Sequence, residues 1–333
     1  MHLKELGEER IIELFARKFS ITHPRLVKAI GDDTSVSIQK GGSFLLATTD
    51  TLTEDVHFKT GLTTPELLGD KALSVSLSDI AAMGGRPMIF LVSLSLPAST
   101  GKRFLDHLYK GITSRAVRSG CAIAGGNVSR SREISITTTV LGEAKSDVVY
   151  RKGASPGDII YVTGTPGDSA LGLAELEKKG LARARRGRFR AQVLRHLAPE
   201  PRLEAGAALA RGGLATAMID VSDGVLLDLK RLCRESGTGA EVFIEKLPLS
   251  AGLERFRLDG KGPGWAALSL TGGEDYELLF TAAVKKAAAI KRLSARLGLP
   301  VTAIGRITGT ARVKVIGEDG RPVEFKKTGF LHF

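Results

Sequence analysis

Only two cysteines, Cys121 and Cys233, occur in 333 residues. Thiols this few and this far apart build neither a disulfide framework nor a four-cysteine metal site, and they point to a reducing, cytoplasmic setting. Aromatic residues are scarce at 5%, so the cores must be aliphatic. Long apolar runs are missing: the longest uncharged one, Pro87 to Gly101, holds two prolines and is too short to span a bilayer. The first ten residues are charged and lack the apolar segment of a secretory signal. Ready-made motifs are absent too. There is no GxxxxGK[ST] phosphate loop, no GxGxxG after a strand, no GxSxG, HExxH or HRD, and the six histidines show no ligand spacing.

What remains is ordinary globular composition, 43% hydrophobic and 25% charged, with 39 glycines to make turns. The net charge is +12 and unevenly spread: residues 1–148 carry 18 basic and 16 acidic side chains, residues 149–333 carry 30 and 20. The densest basic run is Lys178, Lys179, Arg183, Arg185, Arg186, Arg188, Arg190 and Arg195. It reads either as a nucleic-acid or membrane-surface patch or as a solvated helix face. With only Phe189 interleaved and no accompanying motif, the solvated face is the better account, and no nucleic-acid or membrane partner is expected.

Helical spacing of Ile11, Ile12, Phe15 and Phe19 predicts a helix over 7–19. Residues 43–49 read as a strand ended by Asp50. Thr64-Pro65-Glu66 is a helix start running to about Met83. A strand over 89–96, a helix through Phe104–Val117, and strands at 121–124 and 133–141 follow. The turn cluster Ala154–Asp158 separates two halves, so the domains are expected at 1–148 and 149–333. The second half repeats the grammar, with a strand at 159–163 and helices near 203–211, 224–236 and 282–297. Interleaved strands and helices argue a mixed α/β (α+β) protein. Ala124-Gly125-Gly126-Asn127 loosely echoes Thr271-Gly272-Gly273-Glu274.

The chemical signal is a set of acids in apolar company. Asp32 and Asp33 follow Gly31, Asp50 follows Thr48 and Thr49, and Asp79 sits in a stretch with no Lys or Arg from Ala72 to Gly85. Asp220 and Asp223 flank Val221-Ser222, and Glu274 and Asp275 follow Gly272-Gly273. A carboxylate in apolar surroundings is costly unless paired, hydrogen-bonded or bound to a cation, and these segments supply few cations. Magnesium, which takes oxygen ligands from carboxylates and substrate phosphates, would resolve this. Any one of these acids can instead be a helix cap or turn residue; Asp79, mid-helix on an apolar face, resists that account. Gly164–Ser169 either offers backbone N–H groups to a phosphate or is a plain strand-to-helix turn. Arg151 and His57 are open in the same way.

Taken in order, Gly31-Asp32-Asp33, Thr48-Thr49-Asp50-Thr51-Leu52, Val56-His57-Phe58, Leu77-Ser78-Asp79-Ile80-Ala81-Ala82-Met83-Gly84, Gly125-Gly126-Asn127, Tyr161–Thr165, Ile219–Gly224, Gly272–Leu278 and Gly329–Phe333 resemble the thiamine-monophosphate kinases. That family belongs to the superfamily of aminoimidazole ribonucleotide synthetase and selenophosphate synthetase. The resemblance covers nearly the whole chain. It implies ATP-dependent phosphorylation of thiamine monophosphate to thiamine diphosphate, by direct transfer, in a two-domain fold and a homodimer joined through first-domain strands. By matching motif it implies several magnesium ions held by Asp33, Thr48, Thr49, Asp50, Asp79, Asn127, Asp220 and Asp223. Tyr109, Gly126, Asn127, Arg151 and Ser222 would contact ATP, and His57, Glu274 and Phe330 the thiamine phosphate. No covalent nucleophile or general base is expected. Asn127 departs from the pattern, standing where many relatives carry Asp, and brings an amide oxygen without charge. A selenophosphate synthetase is disfavoured because no reactive cysteine lies near the N-terminus.

Overall fold

The computed structural model describes residues 6–19, 21–145, 147–260 and 264–332; the first five residues and Phe333 of the C-terminal motif lie outside the described residues. Two mixed sheets organise the chain. The first has six strands in the order β1-β2-β3-β6-β4-β5, formed by Leu26–Lys28, Ser35–Ile38, Phe44–Thr53, Arg86–Leu96 (β4), Ala122–Arg130 (β5) and Ser135–Ala144 (β6). Only β4 and β5 are parallel. The second has seven, in the order β13-β12-β9-β11-β7-β10-β8. They are Ile159–Thr163 (β7), Ala217–Asp220 (β8), Gly239–Phe243 (β9), Leu278–Ala282 (β10), Val301–Thr308 (β11), Val313–Ile316 (β12) and Pro322–Val323 (β13).

Helix α1 is Glu8–Lys18. The helix that matters most for the site is α2, Pro65–Ala82. Its start is written in the sequence: Thr64 caps the N–H of Leu67 at 3.3 Å and Pro65 takes the first helical position. Fourteen of its 18 residues are buried. A helix apolar all round has no solvent face and belongs between layers. It packs on β3 and β6 on one side and, on the other, on β8 and on a second-half helix, Leu203–Arg211. Helix α3, Lys102–Ser119, runs against α2, and Gly120 in a left-handed conformation ends it.

The remaining helices are α4 (Asp168–Lys179), α5 (Leu181–Ala184), α6 (Arg190–Leu197), α7 (Leu203–Arg211), α8 (Val225–Ser236), α9 (Ala251–Leu258), α10 (Gly264–Thr271) and α11 (Ala287–Leu297). The basic run spans α4 to α6. Leu176, Ala184, Phe189 and Val193 are buried there, while Arg188 pairs with Asp259 at 2.6 Å and lies over the Phe189 ring.

Three expectations need correcting. Asp50 does not end its strand: β3 continues to Thr53, because β6 pairs with it along its whole length. Gly125-Gly126-Asn127 are interior residues of β5 rather than a turn, so their echo of Gly272-Gly273-Glu274, which is irregular, is not a shared local structure. The helix expected from 282 begins at Ala287, since Leu278–Ala282 is a fully buried strand whose apolar run cannot be told from a helix by periodicity.

Candidate active site

Four acids arrive from four separate elements. Asp33 comes from the loop before β2, Asp50 from mid-β3, Asp79 from α2 and Asp220 from the end of β8. Carboxylate oxygens of Asp33, Asp79 and Asp220 lie within 4.8 Å of one another. Thr48 Oγ1 donates to Asp79 Oδ2, and Ser78 Oγ to Asp220 Oδ2 at 2.6 Å. Thr48 and Asp50 share a face of β3, as the two-residue period of a strand requires. The Thr49 hydroxyl bonds Thr139 at 3.0 Å on the opposite face, so only its carbonyl oxygen remains a possible ligand.

Few cations answer these acids. Arg151 donates to Asp33 Oδ1 from Nε and Nη2 at 3.2 and 2.5 Å, and Lys28 lies 3.4 Å from Asp32. The buried Oδ2 atoms of Asp32, Asp33 and Asp50 have no hydrogen-bond partner. Burial, then the neighbouring Asp50, pushes the Asp79 carboxyl well above the ordinary carboxylate range; burial, then Asp33, does the same to Asp220. Burial also raises Asp50, against a hydrogen bond from Ser76, and lifts Asp32 to about 6. Where burial and like charge disfavour the ionised carboxylate, added positive charge would favour it. Oxygen donors of this kind, crowded and partly orphaned, fit hard divalent cations.

Asp223 is placed differently. Arg231 Nη1 holds its Oδ2 at 2.6 Å and the Asp228 carboxylate at 2.8 Å, while the Asp223 and Gly224 N–H groups donate to Asp228 at 3.1 Å. Asp228 is a site neighbour that sequence reasoning missed, since it reads as an ordinary helical acid.

From the acids a cleft of about 540 Å³ runs past Ser222, Gly272 and Gly273 to Glu274, His57, His196 and Phe330. The loop at its centre is strained. Glu274 and Tyr276 both have positive φ, 64° and 51°, at a cost of order 1–3 kcal/mol each. Their N–H groups are anchored on the Ser222 and Val221 carbonyls at 2.6 and 2.8 Å. Between them Asp275 turns inward and accepts from the N–H groups of Gly167 and Ser169 at 2.6 and 3.0 Å. That settles the Gly164–Ser169 segment as a structural turn, because those donors are committed to Asp275.

At the far end, Lys71 Nζ lies 2.6 Å from Glu274 Oε1 and His196 Nδ1 3.3 Å from Oε2. Burial alone would raise the Glu274 carboxyl, but neighbouring positive charge, Lys71 foremost, outweighs it and holds it below its usual value. His57 Nδ1 accepts from the Thr53 N–H at 3.0 Å, leaving Nε2 to carry the neutral ring's proton. Its ring lies 5.1 Å from His332, which meets Phe330 edge-on. The C-terminal tail is brought there by the Phe330 N–H donating to the Asp223 carbonyl at 3.0 Å. Lys71, His196 and His332 were not singled out from sequence; the only signal was Lys71, a lysine inside an apolar helix.

Three nucleotide candidates lie apart. Gly126 and Asn127 are on β5, three strands from Asp50, roughly 14 Å along the sheet. A Cβ at Gly126 would come within 1.8 Å of the Val92 carbonyl oxygen, so only glycine fits the β4 contact. Tyr109 packs on the first core from α3, outside the cleft.

The two sheets, the shared helix and the acid-walled cleft define a class: residues 31–144 match the AIR synthase related protein N-terminal domain and residues 155–318 its C-terminal domain. Within it, the chain is 37% identical over 336 residues to the thiamine-monophosphate kinase of Aquifex aeolicus, covering all of both chains, and 35% identical to that of Bacillus subtilis, covering 94% of this chain and 96% of the relative. The solved structure of AaThiL complexed with AMPPCP and TMP superposes with a TM-score of 0.87 at 36% identity, over 100% of this chain and 99% of that one. The chain belongs to the thiamine-monophosphate kinase family.

Proposed function

We propose that this chain transfers the γ-phosphoryl group of ATP to the phosphate of thiamine monophosphate, giving thiamine diphosphate and ADP. The observation that carries the reading is the convergence of Asp33, Asp79 and Asp220, with an orphaned Asp50 oxygen, beside a cleft lined by Asp50, Asp79 and Asp220 together with Glu274, His57 and Phe330. Full-length likeness to kinases of this family supports it.

In this reading Asp33, Thr48, Asp50, Asp79 and Asp220 hold magnesium, with the Thr49 carbonyl and Asp223 at the margin. Bound there, the ions neutralise and orient the phosphates of both substrates. The chain's own residues do the rest by position. Arg151, anchored on Asp33, presents its remaining N–H groups to the nucleotide phosphates. Ser222 offers its hydroxyl beside them. His57 donates from Nε2 and Phe330 covers the thiamine ring. No side chain acts as general base, since the second pKa of a phosphate monoester is near 6 and the attacking oxygen is already ionised at neutral pH.

A homodimer and a cytoplasmic setting belong to the same reading. Strand β5 is exposed throughout; Ile89 and Leu91 of β4 are exposed on the face they share with Ala122 and Gly125, and Ile123 and Val128 are exposed on the face they share with the buried Phe90 and Leu94. An open hydrophobic edge of this kind calls for a partner strand; a second copy there would enclose Gly126 and Asn127 within a nucleotide site. No helix among the described residues is long and apolar enough to cross a membrane.

The test is ADP release with thiamine monophosphate, thiamine or no acceptor, with and without magnesium. ADP formed only with thiamine monophosphate and magnesium is expected; equal release with thiamine, or none with either, overturns the assignment.

A further inference from the structure

We infer that Lys71 is a positioning residue for the phosphoryl acceptor: with His196, it fixes the Glu274 carboxylate ionised and aimed into the cleft, where that carboxylate receives the cationic, N–H-bearing ring system of the substrate. The inference rests on the kinase reading and deepens it.

Lys71 is 3% exposed and belongs to the buried helix α2, where an ammonium has no access to bulk water. Burying such a charge is costly unless an anion meets it at close range. Glu274 Oε1 does, at 2.6 Å. The other carboxylate oxygen faces His196 Nδ1 at 3.3 Å, and Ser169 Oγ lies 3.1 Å from the same nitrogen. Burial and the Lys71 ammonium push the His196 ring down to about 4, so it is neutral near pH 7 and Lys71 is the cation that faces the carboxylate.

The carboxylate is thus held at one oxygen by Lys71, with the other beside His196, on a backbone whose φ is 64° and whose own N–H bonds the Ser222 carbonyl. A quarter of its side chain still faces the cleft. An ionised carboxylate is an acceptor only, so it selects a ligand that brings a donor or positive charge, as thiamine's rings do. Other titratable groups surround it. His57 comes from the loop after β3, Asp55, Lys59 and Glu177 line the adjoining recess of about 190 Å³, and Asp50, Asp79, Asp220, Asp223, Tyr276, Lys327 and His332 line the main cleft. None of these is as close as Lys71 in the ion pairs formed.

The experiment compares wild type, Lys71→Met, Lys71→Gln, Glu274→Gln and the Lys71→Met/Glu274→Gln double variant, each checked for folding by circular dichroism. Steady-state kinetics are run over a range of pH. With Lys71→Met, the KM for thiamine monophosphate should rise about 10- to 100-fold, with kcat and the KM for ATP little changed. The acid limb of kcat/KM should move to higher pH, by about one unit or more, because burial of Glu274 is then unopposed. In the Glu274→Gln background the same substitution should add little, since the two residues act as a unit. Lys71→Gln carries the test if Lys71→Met does not fold.

An unchanged KM and acid limb, or a full additional loss in the Glu274→Gln background, overturns the inference. No thiamine-monophosphate-dependent ADP from the wild-type enzyme overturns the kinase reading instead.

Discussion

Two groups of buried carboxylates, built from the same chemistry, are treated in opposite ways. Glu277 and Asp228 each have their own arginine: Arg202 Nε meets Glu277 at 2.6 Å with Thr163 Oγ1 at 2.7 Å, and Arg231 meets Asp228 at 2.8 Å. Around Asp33, Asp50, Asp79 and Asp220, one guanidinium serves the whole group, and the Oδ2 atoms of Asp33 and Asp50 accept no hydrogen bond. The first arrangement completes the fold. The second leaves negative charge in excess, which stabilises nothing until cations and phosphates enter. Burial alone does not separate structural from functional acids; the count of partners does.

Breaking a completed pair should have the largest effect on stability. Arg202→Met strips the buried Glu277 of its close ion pair, leaving Thr163 and, at 3.8 Å, Arg195, and up to about 3–5 kcal/mol should be lost in denaturant unfolding. Activity per folded molecule should persist. Asp79→Asn is the mirror case: it removes one charge from a repelling cluster, so the metal-free protein should be as stable as wild type or more so, while turnover falls ~10²–10³-fold. Near-normal turnover, or instability matching Arg202→Met, would erase the distinction between the two groups.

The cleft's other end gives a pH test. His196 is depressed from 6.5 to about 4. A group lowered in the folded state contributes stability above its unfolded value and loses it as pH falls, so stability should decline between pH 6.5 and 4, by at most about 3 kcal/mol. His196→Asn should flatten that limb. A smaller effect comes from magnesium itself. The ion should stabilise the wild type by about 2.7 kcal/mol at a hundredfold excess over Kd, and the midpoint of thermal unfolding should rise accordingly. It should not rise in Asp79→Asn, and it should rise normally in Arg202→Met; equal shifts in all three would contradict the cluster's role.

Much of the framework was legible because local rules wrote it. Thr64-Pro65 opens α2 and Gly120 closes α3. The helix expected from 282 starts late because Ala282 still belongs to a buried strand and a single 3-10 turn, Val284–Lys286, precedes Ala287. For the site, Asp79 was conspicuous because an acid had no local reason to be in an apolar helix. Lys71 and His196 passed unnoticed because each is unremarkable alone; only their approach to Glu274 gives them meaning. Asp223 read like Asp220, yet Arg231, eight residues on, gives it a different environment.

Composition, motif order and periodicity by themselves determined that this is a two-part α/β protein of a phosphate-handling family with acids to spare, because helix caps, strand alternation and apolar burial act over a few residues. Which acids meet, which are claimed by arginines, and that Asn127 lies three strands from Asp50 were decided only by the tertiary structure. Electrostatic energy depends on distance through space, and the packing of α2 between the two sheets sets those distances.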